Sequence, residues 1–114
     1  MNNYKILFAM FLVFGLIGMI RGMDPVSPGD LFFMHVNIDN DSGENLDDLS
    51  VKVVIYDLGV FFKTGSFDLD DRDIDGKYLF WDVPFDTQPG HYLARITVSN
   101  DDVREVTHRI ITIV

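Results

Sequence analysis

The densest chemistry in the chain lies in Asp68-Leu-Asp-Asp-Arg-Asp-Ile-Asp-Gly76, which carries five carboxylates in eight residues. Asp71, Asp73 and Asp75, followed by Gly76, match the DxDxDG pattern of a calcium loop. Asp82 falls where the last, bidentate acid of such a loop sits. The chemistry is coherent. Calcium takes about six to eight hard oxygens, and alternate aspartates converge on one ion when a glycine permits the sharp turn. Against it, Arg72 supplies an internal counter-charge, and strand-like patterns flank the loop where an EF-hand has helices. The competing reading is a solvated acidic hairpin loop. Calcium is the only cofactor these residues suggest.

Other constellations are sparser. Asn40-Asp41-Ser42 is an N-x-S sequon in an expected turn, which makes Asn40 a glycosylation candidate. His35, His91 and His108 form no HxH or HExxH spacing. Serines 27, 42, 50, 66 and 99 lack a nucleophile-elbow context, and there is no glycine-rich phosphate loop. No residue is therefore assigned a catalytic role, and the chain reads as a non-enzyme.

Composition bounds the scaffold that must position these groups. The 114 residues allow one domain. No cysteine is present, so disulfides, thiol catalysis and zinc ribbons are excluded together. Eighteen acids against nine bases exclude a nucleic-acid partner, because phosphate binding needs a basic patch. All 18 acids follow Arg21, and 16 of them are Asp. Asp disfavours helix, since its short side chain competes for nearby backbone groups. The balance points to a β domain with acidic loops.

The first residues read differently. Ile6 to Ile20 is an unbroken apolar and glycine run, with Lys5 before it and Arg21 after it. A basic start and a short apolar stretch are the parts of an export signal. The run would reach roughly 22 Å as a helix, short of the ~30 Å hydrocarbon core. Residues 1–22 are thus expected to be a helical signal peptide or, if uncleaved, a membrane anchor through residues 6–20. The cleavage site nearest the end of the run has Gly22 at −1 and a bulky Ile20 at −3. The protein is expected outside the cytoplasm, secreted or anchored, with the membrane touched only through this segment.

Residues 23–29 (MDPVSPG) form a linker, because its prolines stop helix and sheet alike. From residue 30 to 114 period-two patterns dominate. Strands are expected at Phe32–Ile38, Leu49–Tyr56, Val60–Thr64, Lys77–Val83, His91–Val98 and Val103–Ile113, with a short edge strand at Phe67–Leu69. Turn signals recur between them, and the pattern is that of an all-β sandwich of about seven strands.

These residues carry a resemblance. Pro28-Gly-Asp30 leads into an alternating strand and the Asn40 turn. Leu79, Trp81, Val83 and Pro84 follow, and then Pro89-Gly90-x-Tyr92 continues as LARITVSND. Over about residues 25–114 the chain resembles the CARDB-type immunoglobulin-like modules of secreted, S-layer-associated archaeal and bacterial proteins. The resemblance implies an immunoglobulin-like β-sandwich serving adhesion or spacing in the cell envelope. It departs from the family pattern at the front. Only Gly22 to Ser27 precede Pro28 outside the apolar run, so the first strand is expected to be short or missing.

Two further expectations follow. Tyr92, behind a Pro-Gly turn and with Asp86 six residues upstream, is similar to the tyrosine corner of such sandwiches. If Phe32 and Trp81 point inward, then Phe33, Tyr78 and Phe80 point outward as an exposed aromatic patch, and such patches mark interaction surfaces. A missing first strand would add an open sheet edge able to pair with a second copy. The reading is a non-enzymatic, extracytoplasmic interaction, adhesion or envelope-structural module whose partner is a protein or envelope component. The alternative is a calcium-dependent carbohydrate- or surface-binding domain using the acidic loop.

Overall fold

A computed structural model describes residues 15–114. They form two facing antiparallel sheets. The strands are β1 (Ile17–Gly22), β2 (Leu31–Asp39), β3 (Leu46–Ile55), β4 (Val60–Lys63), β5 (Phe67–Leu69), β6 (Ile74–Asp82), β7 (Gly90–Ser99) and β8 (Arg104–Ile113). One sheet has the order β1-β2-β6. The other has the order β4-β3-β7-β8, with β5 paired to the first half of β3.

Period-two alternation decides which side chains meet between the sheets. Phe32, Met34, Val36 and Ile38 of β2 are buried, as are Val51, Val53 and Ile55 of β3. Ala94, Ile96 and Val98 of β7 complete the centre. Trp81 stacks on Phe62 at 6.2 Å between ring centroids, and both rings meet Phe32 edge-on at 6.5 Å. These aromatic pairs close one side of a core that has no disulfide. Turns follow local chemistry. Gly59 takes the left-handed conformation at φ 62° that ends a short 3₁₀ turn before β4. Asn100 closes the β7–β8 hairpin by accepting from the amides of Asp102 and Val103.

The front of the domain departs from expectation. The first strand is neither short nor missing: it is β1, drawn from the end of the apolar run. Ile20 faces Val36, Arg21 faces His35 and Gly22 faces Met34 across the ladder with β2. Leu16 is 2% exposed, and its carbonyl accepts from the amide of Asp39 at 2.9 Å. An apolar run has no period of its own, so a buried strand and a helix read alike in sequence. The part of the expected export helix over residues 1–14 lies outside the described residues. The expected linker is docked as well. Val26 is buried and forms a parallel bridge with Ile113, so the chain crosses from the edge of one sheet to the edge of the other. Among the described residues the strand count is eight.

Candidate functional site

The outer face of the β1-β2-β6 sheet carries the aromatic patch. The β2–β6 register sets Phe33 opposite Phe80 and His35 opposite Tyr78. Cross-strand neighbours on one face are close enough for rings to touch. Phe33 stands 6.2 Å from both Tyr78 and Phe80, and Tyr78 stands 6.5 Å from Phe80, all with nearly parallel planes. Phe33 is 41% exposed, Tyr78 59% and Phe80 55%. Three large rings stacked in water on a regular sheet form a preassembled apolar surface. Exposed Met19, Leu31 and Ile74 extend it along the same face.

His35 joins this surface for a specific reason. Its imidazole lies 4.4 Å from the Tyr78 ring and directly over Gly76, where any Cβ would collide with Nε2. Gly76 is a strand residue that clears space for this ring, and not the turn glycine of a calcium loop. The sequence carries no local signal for this contact, because His35 comes from another strand, and the DxDxDG pattern suggests a different role for the glycine.

The four candidate carboxylates of the acidic loop do not converge. Asp71 and Asp73 lie in a tight turn before β6, whereas Asp75 lies inside β6 and pairs with Lys77 at 3.1 Å. The Asp71 carboxylate accepts from the amide of Gly43 at 2.9 Å, across the neighbouring turn. Asp82 is at the far end of β6, roughly 23 Å from Asp75 at about 3.3 Å per strand residue. A strand therefore separates the supposed last ligand from the others. No group of three or more His, Asp or Glu side chains converges among the described residues.

Asn40 is not an exposed acceptor for a glycan. It is fully buried, and its Nδ2 donates to the carbonyls of Glu44 at 2.7 Å and Leu69 at 2.9 Å. Its Oδ1 accepts from the amide and the hydroxyl of Ser42. The atom that would carry the sugar has both hydrogens engaged. Asn and Ser are joined in this turn because their short polar side chains satisfy backbone groups.

At the opposite end, the tyrosine corner forms. The Tyr92 hydroxyl donates to the Gln88 carbonyl at 2.6 Å. The partner is this backbone oxygen, four residues back, and not Asp86, which sits exposed in the preceding turn. His91 contacts the hydroxyl of its cross-strand neighbour Thr112 at 2.9 Å, and His108 lies exposed on β8. One acid escaped the sequence entirely. Glu105 of β8 reaches over to β1, where its carboxylate accepts from the amides of Gly15, at 3.0 Å, and Ile17.

With this geometry in place, likeness to known proteins can be judged. No family model and no curated protein matches the chain. Solved structures do. A CARDB domain from Pyrococcus furiosus, determined in solution by NMR, superposes with a TM-score of 0.61 at 21% identity. The match covers 83% of this chain and 90% of that domain. The fold is that of a CARDB domain. The crystal structure of the same Pyrococcus domain, in complex with di-metal ions, gives 0.60 at 22% identity over 83% and 84% of the two chains. A DNA glycosylase for alkylpurines from Pseudomonas fluorescens contains a similar sandwich, at 0.61 and 13% identity, within 28% of its length. A CARDB-like sandwich thus occurs both as a separately studied domain and within a much larger enzyme.

Proposed function

We propose that this chain is a non-enzymatic, extracytoplasmic interaction module: an immunoglobulin-like sandwich that serves adhesion or spacing in the cell envelope. The observation that carries the reading is the stacked, half-exposed trio Phe33, Tyr78 and Phe80 on a rigid sheet. Exposed apolar patches of this kind on soluble domains are interaction sites. The rings fill an interface centre at low entropic cost, because the strands already hold them. The strand order supports the immunoglobulin-like description. In that architecture the first, second and fifth of seven strands share one sheet, as β1, β2 and β6 do here, and the last two lie side by side in the other, with the corner tyrosine at the entry to the penultimate strand. Export is supported by the basic residue and apolar run before β1.

The partner class is protein, a second copy included. β6 is an edge strand beside the aromatic trio, and pairing two copies along it would join their aromatic faces into one surface. Sedimentation over a range of concentrations tests this. Wild type is expected to self-associate, and Phe80→Ser to weaken association at least tenfold with an unchanged melting temperature. Equal association of the two proteins would remove the aromatic face from the reading. The calcium-dependent alternative draws on the metal-bound Pyrococcus domain. Here Asp82 stands a full strand away from the acidic turn and Asp75 is paired to Lys77, so the geometry favours the interaction module.

A further inference from the structure

We propose that the exported form is generated by hydrolysis of the Gly15–Leu16 peptide bond, which makes Leu16 the mature N-terminus. This rests on the export reading above. Removal of an export signal requires a small residue at the −1 position. Late in the apolar run and just after it, glycine stands at 15, 18 and 22. The folded domain distinguishes the three. A cut after Gly22 removes the whole of β1, and a cut after Gly18 removes its first residues. Both also remove Leu16, which is 2% exposed and holds the Asp39 amide at 2.9 Å. A cut after Gly15 leaves Leu16 and all of β1 in place.

The sequence on the other side agrees. Gly15 has Val13 at −3, whereas Gly18 and Gly22 have the longer Leu16 and Ile20 there. Ile6 to Phe14 remain as an apolar stretch after Lys5, within the ~7–15 residues such a region spans. The peptidase acts on the unfolded chain in transit, and the fold determines which product is a complete sandwich.

Glu105 adds an independent argument. Its carboxylate holds the amides of Gly15 and Ile17, the residues on either side of the Leu16 nitrogen. In the cleavage, water adds its hydroxyl to the Gly15 carbonyl carbon and a proton to the Leu16 nitrogen, and the C–N bond breaks. The catalyst is a membrane signal peptidase of the host. The new α-amine, with an ordinary pKa of about 7.7–8.0, is largely protonated at neutral pH. It arises beside the Glu105 carboxylate, which keeps the Ile17 amide and exchanges the lost Gly15 amide for a cation.

The test is to express the full chain with a C-terminal tag in an exporting host and to sequence the N-terminus of the extracytoplasmic fraction. A start at Leu16 is expected. A start at Met23, or an unprocessed chain in that fraction, would overturn the proposal. Gly15→Leu alters a residue that the mature form lacks, so it tests processing without changing the folded product. Precursor is expected to accumulate at least tenfold over wild type, and undiminished processing would also overturn it. If all product is full length and cytoplasmic, the export reading itself fails and takes this inference with it. The fraction in which the protein is found tells the two failures apart.

Discussion

Asn40 braces its own turn and ties it to Leu69 of β5 through four hydrogen bonds, with every polar atom of its side chain used inside the fold. Asn40→Asp keeps the shape but replaces a double donor with a carboxylate facing two carbonyls. It is expected to cost about 2–4 kcal/mol, as a buried, mispaired charged group does, measured by urea denaturation. Tyr92→Phe removes one hydroxyl from a half-buried corner and is expected to cost about 1 kcal/mol in the same assay. The two positions show what a sequence discloses at this scale. Tyr92 was legible because a ring after a Pro-Gly turn has few places to put its hydroxyl. Asn40 was misread because an exposed sequon and a buried turn use the same residue types. Only burial separates them, and burial depends on Leu69 arriving from 29 residues away.

Among the elements, β1 carries the largest consequence. A chain starting at Met23 loses Leu16, whose burial alone contributes about 1.5–3 kcal/mol, and leaves β2 with an unpaired edge. Compared with a chain starting at Leu16, it is expected to unfold at lower urea and to aggregate on concentration, as light scattering would report. Most strands were legible to within a residue or two, because alternation from β2 to β8 matches the pleat. β1 was not, since Ile17 to Gly22 continues an apolar run that suits export, helix and edge strand equally. β6 begins at Ile74, three residues before the expected start. Those three residues turned Asp75 and Gly76 of an apparent calcium loop into strand positions.

For the molecule as a whole, charge and the apolar face oppose each other. Eighteen acids against nine bases repel second copies at low ionic strength. Salt screens that repulsion over a Debye length that falls from roughly 10 Å at 0.1 M to roughly 3 Å at 1 M, whereas apolar contact is not weakened. Self-association is therefore expected to strengthen as salt rises, measured by sedimentation. Charge-paired docking would weaken instead. Calcium at about 1 mM is expected to leave the melting temperature unchanged, since only an ion bound to the folded state raises it. An upward shift that Asp73→Ala abolishes would restore the metal reading. The outward trio was legible here too, because assigning one face of two neighbouring strands assigns the other. The contribution of Gly76 was not, as it depends on His35 leaning across from the next strand.

The parallel bridge at Val26 bears on how such a domain carries load. Val26 donates to Thr112 and accepts from Val114, at 3.1 and 2.9 Å, so the segment between β1 and β2 lies alongside the end of β8 and points the same way. Tension applied to the two ends pulls these strands past each other lengthwise. The bonds are then loaded together in shear and are not unzipped one by one. β1, farther toward the start, meets the same pull along its ladder with β2 in the opposite sheet. A pull between Leu16 and Val114 is thus expected to load both sheets before either opens.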